Sequence, residues 1–213
     1  MTRRWLGPVL LVLMLVVAIW AYPRLPERIP THWNLQGEVD GWSARWMVFF
    51  PPAMGLLMLV LMPVLRRIDP RRANYDRFEP TFWLVINVII AFMFVPHLMT
   101  IGAALGWPMP ATDRVLVGAV GVLFILLGNY LPRVKSNWWM GIRTPWTLSS
   151  ESVWRSTHRL GGRMFVGGGV LMLLSLALTP ELRVAALITA VVLSAIVPAV
   201  WSYMAWRREQ ASQ

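Results

Sequence analysis

Apolar residues in this chain are bunched into long runs, not spread at amphipathic spacing. The runs lie at residues 5–22, 46–65, 82–105, 114–131, 164–180 and 183–206, with polar and mostly basic stretches between them. Each is long enough to cross roughly 30 Å of hydrocarbon as a helix. The pattern predicts an all-α integral membrane protein of six transmembrane helices. Trp5, Trp20 and Tyr22 stand at the two ends of the first run, where interfacial aromatics belong. That run is too long for the core of a signal peptide and no small-x-small cleavage site follows it, so it reads as an uncleaved helix. The last two runs are separated only by Pro180-Glu181-Leu182, a tight helical hairpin.

Two polar stretches are longer than a simple connection needs, which is about 4–6 residues. The first, residues 23–45, carries Pro23, Pro26 and Pro30 and opens as extended or polyproline-like chain. Gly37 and Asp40-Gly41 signal turns, Ser43 is a candidate cap for the second helix, and Trp42 and Trp46 suit head-group depth. A compact cap, such as a short hairpin, is expected. The second, residues 128–163, is basic and rich in Trp. Pro132 stops the fourth helix, and residues 135–147 hold too many turn formers for regular helix. A short amphipathic helix is expected from Ser149 as N-cap to Gly161-Gly162, lying in the membrane interface with Val153, Trp154, Thr157 and Leu160 on one face. Gly167-Gly168-Gly169 would allow close approach of a neighbouring helix. The remaining basic connection, RRIDPRRANYDRFEP, reads as a solvated stop-transfer loop.

Composition agrees with a membrane reading: 57% of the 213 residues are hydrophobic and 14% charged, against about 25% charged in soluble domains. The net charge of +10 would suggest nucleic acid on a soluble protein. Here the cations flank apolar runs, where anionic lipid is the nearer counter-charge, so no direct nucleic-acid partner is expected. The absence of cysteine removes disulfides, thiolate metal sites and Cys nucleophiles. With the N-terminus inside, Arg3, Arg4, Arg66, Arg67, Arg71, Arg72, Arg77, Arg133, Lys135, Arg143, Arg155, Arg159, Arg163, Arg207 and Arg208 fall on the inner side. Only Arg24, Arg28, Arg45, Arg114 and Arg183 fall outside. This bias predicts an N-in/C-in topology, an extracytoplasmic cap and a structured cytoplasmic loop at 128–163.

Candidate chemistry is sparse. His32, Glu38 and Asp40 are spaced too loosely for a metal site, and His32 reads better as a loop staple with Asp40 capping a turn. His97 follows Pro96 within a span, where its ring NH could satisfy the carbonyl that proline frees. Asn87 reads as interhelical glue. His158 lies near Ser149, Ser150, Ser152 and Ser156, but the GxSxG elbow is absent and Glu151 is too far along the helix to orient it. GGRMFVGGG lacks the P-loop Lys-Ser/Thr. No catalytic residue, metal or cofactor is therefore expected. A recognition surface remains, from Arg143, Arg155 and Arg159 with Trp138, Trp139, Trp146 and Trp154.

The inner loop resembles the signature of the SdpI family, bacterial immunity proteins against a sporulation-delaying toxin. The resemblance rests on Gly128, Asn129, Pro132, Lys135, Asn137, Gly141, Ile142, Arg143, Thr144, Pro145, Trp146, Thr147 and Leu148, then on Trp154, Thr157, His158, Arg159 and Gly161. The outer loop is similar to an element of uncharacterised function often found at the N-terminus of these proteins, at Ile29, Pro30, His32, Asn34, Gly37, Asp40, Gly41 and Trp42. The resemblance implies a multi-pass protein of the bacterial plasma membrane that protects against a secreted peptide toxin met on the outer side. It also implies signalling, by holding a transcriptional repressor at the cytoplasmic face. Two regions are expected: residues 1–65, two helices with the cap, and residues 66–213, four helices carrying the loop. A small transporter or flippase, and a membrane-embedded enzyme at the cytoplasmic interface, are the rival readings.

Overall fold

The computed structural model describes residues 4–34 and 36–212, so Arg3 of the inner cations falls outside the described residues. In chain order the elements are α1 (Leu6–Ala21), β1 (Arg28–Trp33), β2 (Val39–Ala44), α2 (Phe50–Ile68), α3 (Glu79–Ala104), α4 (Thr112–Tyr130), α5 (Pro145–Ser149), α6 (Glu151–Ser175) and α7 (Pro180–Ala211). All but α5 among the helices run between two ends. At the cap end lie the β1–β2 hairpin and the connections 105–111 and 176–179. At the loop end lie residues 69–78 and 131–150. Arg4 pairs with Glu79 and Ser152 bonds Glu209 there, so α1 starts and α7 finishes at the loop end.

Among the described residues, five helices, with flanking turns, are long and apolar enough to cross a membrane: Leu6–Arg24, Arg45–Ile68, Glu79–Ala104, Thr112–Arg133 and Pro180–Ala211. The outward faces of α1 and α2 leave Val9, Val12, Val16, Ile19, Leu56 and Val60 exposed, as suits helices bathed in hydrocarbon instead of water. The expected sixth span takes a different form. Residues 151–175 are one continuous helix, not an interfacial segment followed by a span. Its first half holds Glu151, Arg155, His158, Arg159 and Arg163, which keeps α6 outside the apolar set, yet it travels from the loop end to the cap end.

The interfacial-helix expectation fails for two physical reasons. Val153, Trp154, Thr157 and His158 are buried inside the protein, so that face is already covered. Gly161-Gly162 do not end the helix, because a helical glycine costs only about 1 kcal/mol and here allows contact. A Cβ on Gly128 of α4 would stand 2.7 Å from the Gly162 carbonyl oxygen. The N-cap is Ser150, whose Oγ accepts from the Val153 amide at 3.3 Å, while Ser149 closes α5. The α6–α7 turn falls at 176–179, and Pro180 opens α7, where its missing N–H is harmless.

The helices pack as two groups of three. In the first, α1, α2 and α3 enclose Met14, Phe82, Ile86 and Ile90. In the second, α4, α6 and α7 close on Val117, Met172 and Ala190. Gly168 meets α7 and Gly169 meets α4, whereas Gly167 faces open space. Buried His97 uses Nε2 to donate to the Met14 carbonyl of α1 at 3.1 Å, not to the carbonyl freed by Pro96.

The cap is the expected hairpin. β1 and β2 pair antiparallel, with register breaks around His32. Ser43 sits in β2 with its Oγ 2.9 Å from Thr31 Oγ1, so it ties the hairpin and does not cap α2. Only Pro23 departs from the extended or polyproline-like expectation, lying in a 3-10 turn, Tyr22–Arg24; Leu25 is extended at φ −73° and ψ 141°, and Pro30 lies within β1. Ile29 and Leu25 root the hairpin among Ala18, Ala21, Val48 and Ile101.

Candidate functional site: the polar knot at the loop end

Residues 131–144 have little regular structure, so their backbone groups need side-chain partners wherever water is excluded. Asn137, fully buried, supplies four of them. Its Nδ2 donates to the Lys135 carbonyl at 2.8 Å and the Met140 carbonyl at 3.0 Å, and its Oδ1 accepts from the Trp139 and Met140 amides at 2.9 and 2.7 Å. A second hub comes from the preceding basic connection. Buried Asp69 accepts from the Tyr75 hydroxyl at 2.8 Å, the Trp138 amide at 2.8 Å and the Arg71 amide at 2.6 Å. Burial, then the bond to Asp69 and its charge, raise the Tyr75 pKa further above its ordinary value, so the hydroxyl stays a donor. Arg71 reaches across to Ser136 Oγ and the Leu148 carbonyl, and Asn74 donates to the Ser136 carbonyl at 2.8 Å.

The stretch expected to be a solvated stop-transfer loop is thus half of the knot. The available signal was one Asp-Pro step and one tyrosine among five arginines. Asp69 lies directly after α2, where a buried carboxylate can accept from several amides at once.

Helix α6 provides the other wall. The Trp154 indole N–H donates to the Val134 carbonyl at 2.9 Å, and its ring stacks on His158 at 4.1 Å. His158 Nδ1–H donates to the Trp154 carbonyl at 2.8 Å, which leaves Nε2 to accept the Ile142 amide at 3.0 Å. That arrangement requires neutral imidazole. Burial pushes the His158 pKa down to about 4, against the opposing pull of the Trp154 carbonyl. With both nitrogens committed to backbone, His158 is a staple and no Ser-His pair forms. Gly141 makes it fit: at φ 107° it turns the chain where a Cβ would collide with His158 Nε2.

The remaining motif residues also pack into or around this frame. Thr144 and Thr147 form a capping box over α5, with Pro145 at its first position, and Thr147 Oγ1 donates to the Ile142 carbonyl at 3.0 Å. Thr144 Oγ1 is 2.9 Å from Ser202 Oγ, which ties the loop to α7. Trp146 lies on Tyr203 with ring centroids 5.0 Å apart. Pro132 abuts Gly162, a Cβ on Gly161 would meet the Ile142 side chain, and Asn129 bonds back to the Ile125 carbonyl at 2.9 Å.

What stays on the surface is a smaller set than the sequence suggested. Arg143, Arg155 and Arg159 are exposed, as are Trp138 and Trp139, whereas Trp154 is 1% exposed and serves the core. Arg155 is turned to Glu151 at 3.2 Å, and Arg143 donates to the Trp138 carbonyl at 2.5 Å. Lys135 is half-buried.

At the cap end, His32 Nδ1 lies 2.5 Å from Asp40 Oδ1, so the expected staple is present. Asn34 shapes the turn: its Oδ1 accepts from the Gln36 and Glu38 amides at 3.0 and 2.9 Å, and Gly37 takes φ 84°. Gly41 lets His32 lie across it. Pro30 pairs opposite Trp42, which is exposed. Among the described residues, no group of three or more His, Cys, Asp or Glu could hold a metal ion.

A bundle of long apolar helices, closed by a hairpin at one end and a side-chain-built polar knot at the other, defines a multi-pass membrane protein. Residues 133–202 match the SdpI/YfhL protein family, so the chain carries the family's region at the knot, through α6 and into α7. Residues 9–56 match DUF1648, a domain of unknown function, over α1, the hairpin and the start of α2. A curated relative is the Immunity protein SdpI of Bacillus subtilis (strain 168), 24% identical over 213 residues and covering the whole of both chains. No solved structure matches.

Proposed function

We propose that this chain is a membrane immunity protein that protects its cell against a secreted, membrane-active peptide toxin. The observation that carries the reading is similarity along the full length to a named immunity protein, with the family's motif residues gathered in one knot. Six traversals of the bilayer, counting α6, leave both termini and the knot in the cytoplasm and the hairpin outside. The Lys/Arg bias favours that orientation. The hairpin and helix ends engage the apolar peptide, and the cytoplasmic face holds a transcriptional repressor through Arg143, Arg159, Trp138 and Trp139. Coupling the two requires that the loop have two states with different affinity for the repressor.

Survival tests the protective role. Cells expressing the chain should outlive control cells on challenge with sporulation-delaying toxin, and Arg143→Ala/Arg159→Ala, at equal protein level, should keep protection while losing reporter output. Equal killing with and without the chain overturns the reading. The cysteine-free sequence makes orientation simple to measure. Gln36→Cys should react with an impermeant thiol reagent on intact cells, and Ser149→Cys only after permeabilisation.

A further inference from the structure

One face of α6 is uncovered along most of its length. Arg155, Arg159, Arg163 and Gly167 follow one another a turn apart on it, and all four are exposed. Nearer the cap end the same face continues in Val170 and Leu174, also exposed. Neighbouring helices cover the other sides, α4 through Gly162 and Gly169 and α7 through Gly168. Gly162 meets Gly128 in the last turn of α4. Arg163 therefore stands level with the loop end of that apolar helix, where hydrocarbon gives way to head groups. Gly167, one turn deeper, leaves a notch of one side chain: a Cβ there would meet nothing within 4 Å.

Charge selects what this face receives. Arg155 is paired with Glu151, but among the described residues no acid stands beside Arg159 or Arg163. The other described acids at the loop end are already engaged: Asp69 in the knot, Asp76 and Glu79 by arginines, and Glu209 by Ser152. Arg133 adds a further guanidinium, since it follows the Pro132 that abuts Gly162 and lies 4.7 Å over the Tyr130 ring. We infer that this face of α6 holds one anionic phospholipid of the leaflet at the loop end. Arg163 and Arg159 donate to its phosphate oxygens, and an acyl chain runs past Gly167 onto Val170 and Leu174. A zwitterionic lipid fits worse, because no free carboxylate is there to receive its ammonium. A soluble phosphate would meet the arginines but leave the notch and the apolar half of the face unused.

Native mass spectrometry of the full-length protein, released from detergent micelles and titrated with palmitoyl-oleoyl phosphatidylglycerol, reads the first lipid bound. Phosphatidylcholine of the same chains should bind about tenfold more weakly. Arg163→Gln should weaken phosphatidylglycerol about fivefold. Arg67→Gln removes the same charge from exposed Arg67 in the last turn of α2, away from this face, and should leave the first binding step unchanged. Gly167→Leu fills the notch and should weaken the lipid about threefold, while unfolding in SDS no earlier than wild type. Glycerophosphoglycerol, the head group without chains, should not displace the lipid. Neither Arg163 nor Gly167 belongs to the surface assigned to the repressor, so their variants test lipid binding alone. Equal loss in Arg67→Gln overturns the inference in favour of diffuse attraction between a basic end and anionic lipid. Displacement by glycerophosphoglycerol overturns it in favour of a soluble phosphate. Equal binding of phosphatidylcholine, or unchanged binding in Gly167→Leu, overturns it as well.

Discussion

His158 shows how much one side chain does when it is buried among unpaired backbone groups. Its neutral ring fixes the Ile142 amide and the Trp154 carbonyl together, and protonation would remove the lone pair that Ile142 needs. Its pKa falls from 6.5 to about 4, so the stabilisation is fully present above pH 6.5 and is lost as pH falls towards 4. The difference amounts to about 3 kcal/mol. The gap in unfolding free energy between wild type and His158→Ala should narrow by about that much between pH 7 and pH 4 in mixed-micelle SDS titrations. A gap that stays constant would mean that the ring takes up its proton as readily in the folded protein as in the unfolded chain.

Among the elements, α6 carries glycines that can be sorted by what they touch. A Cβ on Gly169 would collide with the Gly121 carbonyl of α4, and one on Gly167 would meet nothing within 4 Å. Alanine gains about 1 kcal/mol over glycine by helix propensity, while overpacking a tight contact costs about 1–3 kcal/mol. Gly169→Ala should therefore destabilise the protein, and Gly167→Ala should leave it unchanged or slightly more stable. The same SDS titration reads both. Sequence alone could say only that three successive glycines allow close approach. Which of them makes it depends on how α6 is rotated against α4 and α7, which consecutive positions do not give.

The whole molecule is two three-helix groups held together at both ends by unlike means. At the loop end, Val134, Met140 and Trp154 pack into the core formed by Tyr75, Phe78 and Phe82, so the knot fastens α6 to the first group. At the cap end, the hairpin rooted on α1 and α3 reaches α4, and a Cβ on Gly37 would lie 2.8 Å from the Asp113 amide nitrogen. Asp113 is itself held by Arg183 of α7. Removing one member of a buried ion pair leaves an uncompensated charge and costs about 3–5 kcal/mol. Asp113→Ala should lose about that much stability, and Asp113→Leu/Arg183→Met should lose distinctly less, by unfolding measurements on the same preparation.

Most of the architecture was legible in the sequence, because hydrocarbon leaves a chain few options: apolar runs must be helices, and basic loops mark one side. The hairpin cap and the family signature were legible too, since turn residues and a dense local motif are written in consecutive positions. The continuity of α6 was hidden because Gly161-Gly162 break helices in water but serve as a contact against Gly128 once α4 is alongside. Asp69 and Tyr75 were hidden for a related reason. Their partners, Trp138 and Asn137, lie more than sixty residues away, and no local pattern marks a carboxylate that folding will bury. Sequence by itself determined where helices form and which ends carry charge, because those follow from local polarity. Only the tertiary structure decided which polar groups lose water and so must find one another, and at this protein's two ends that requirement builds the knot and the Asp113–Arg183 pair.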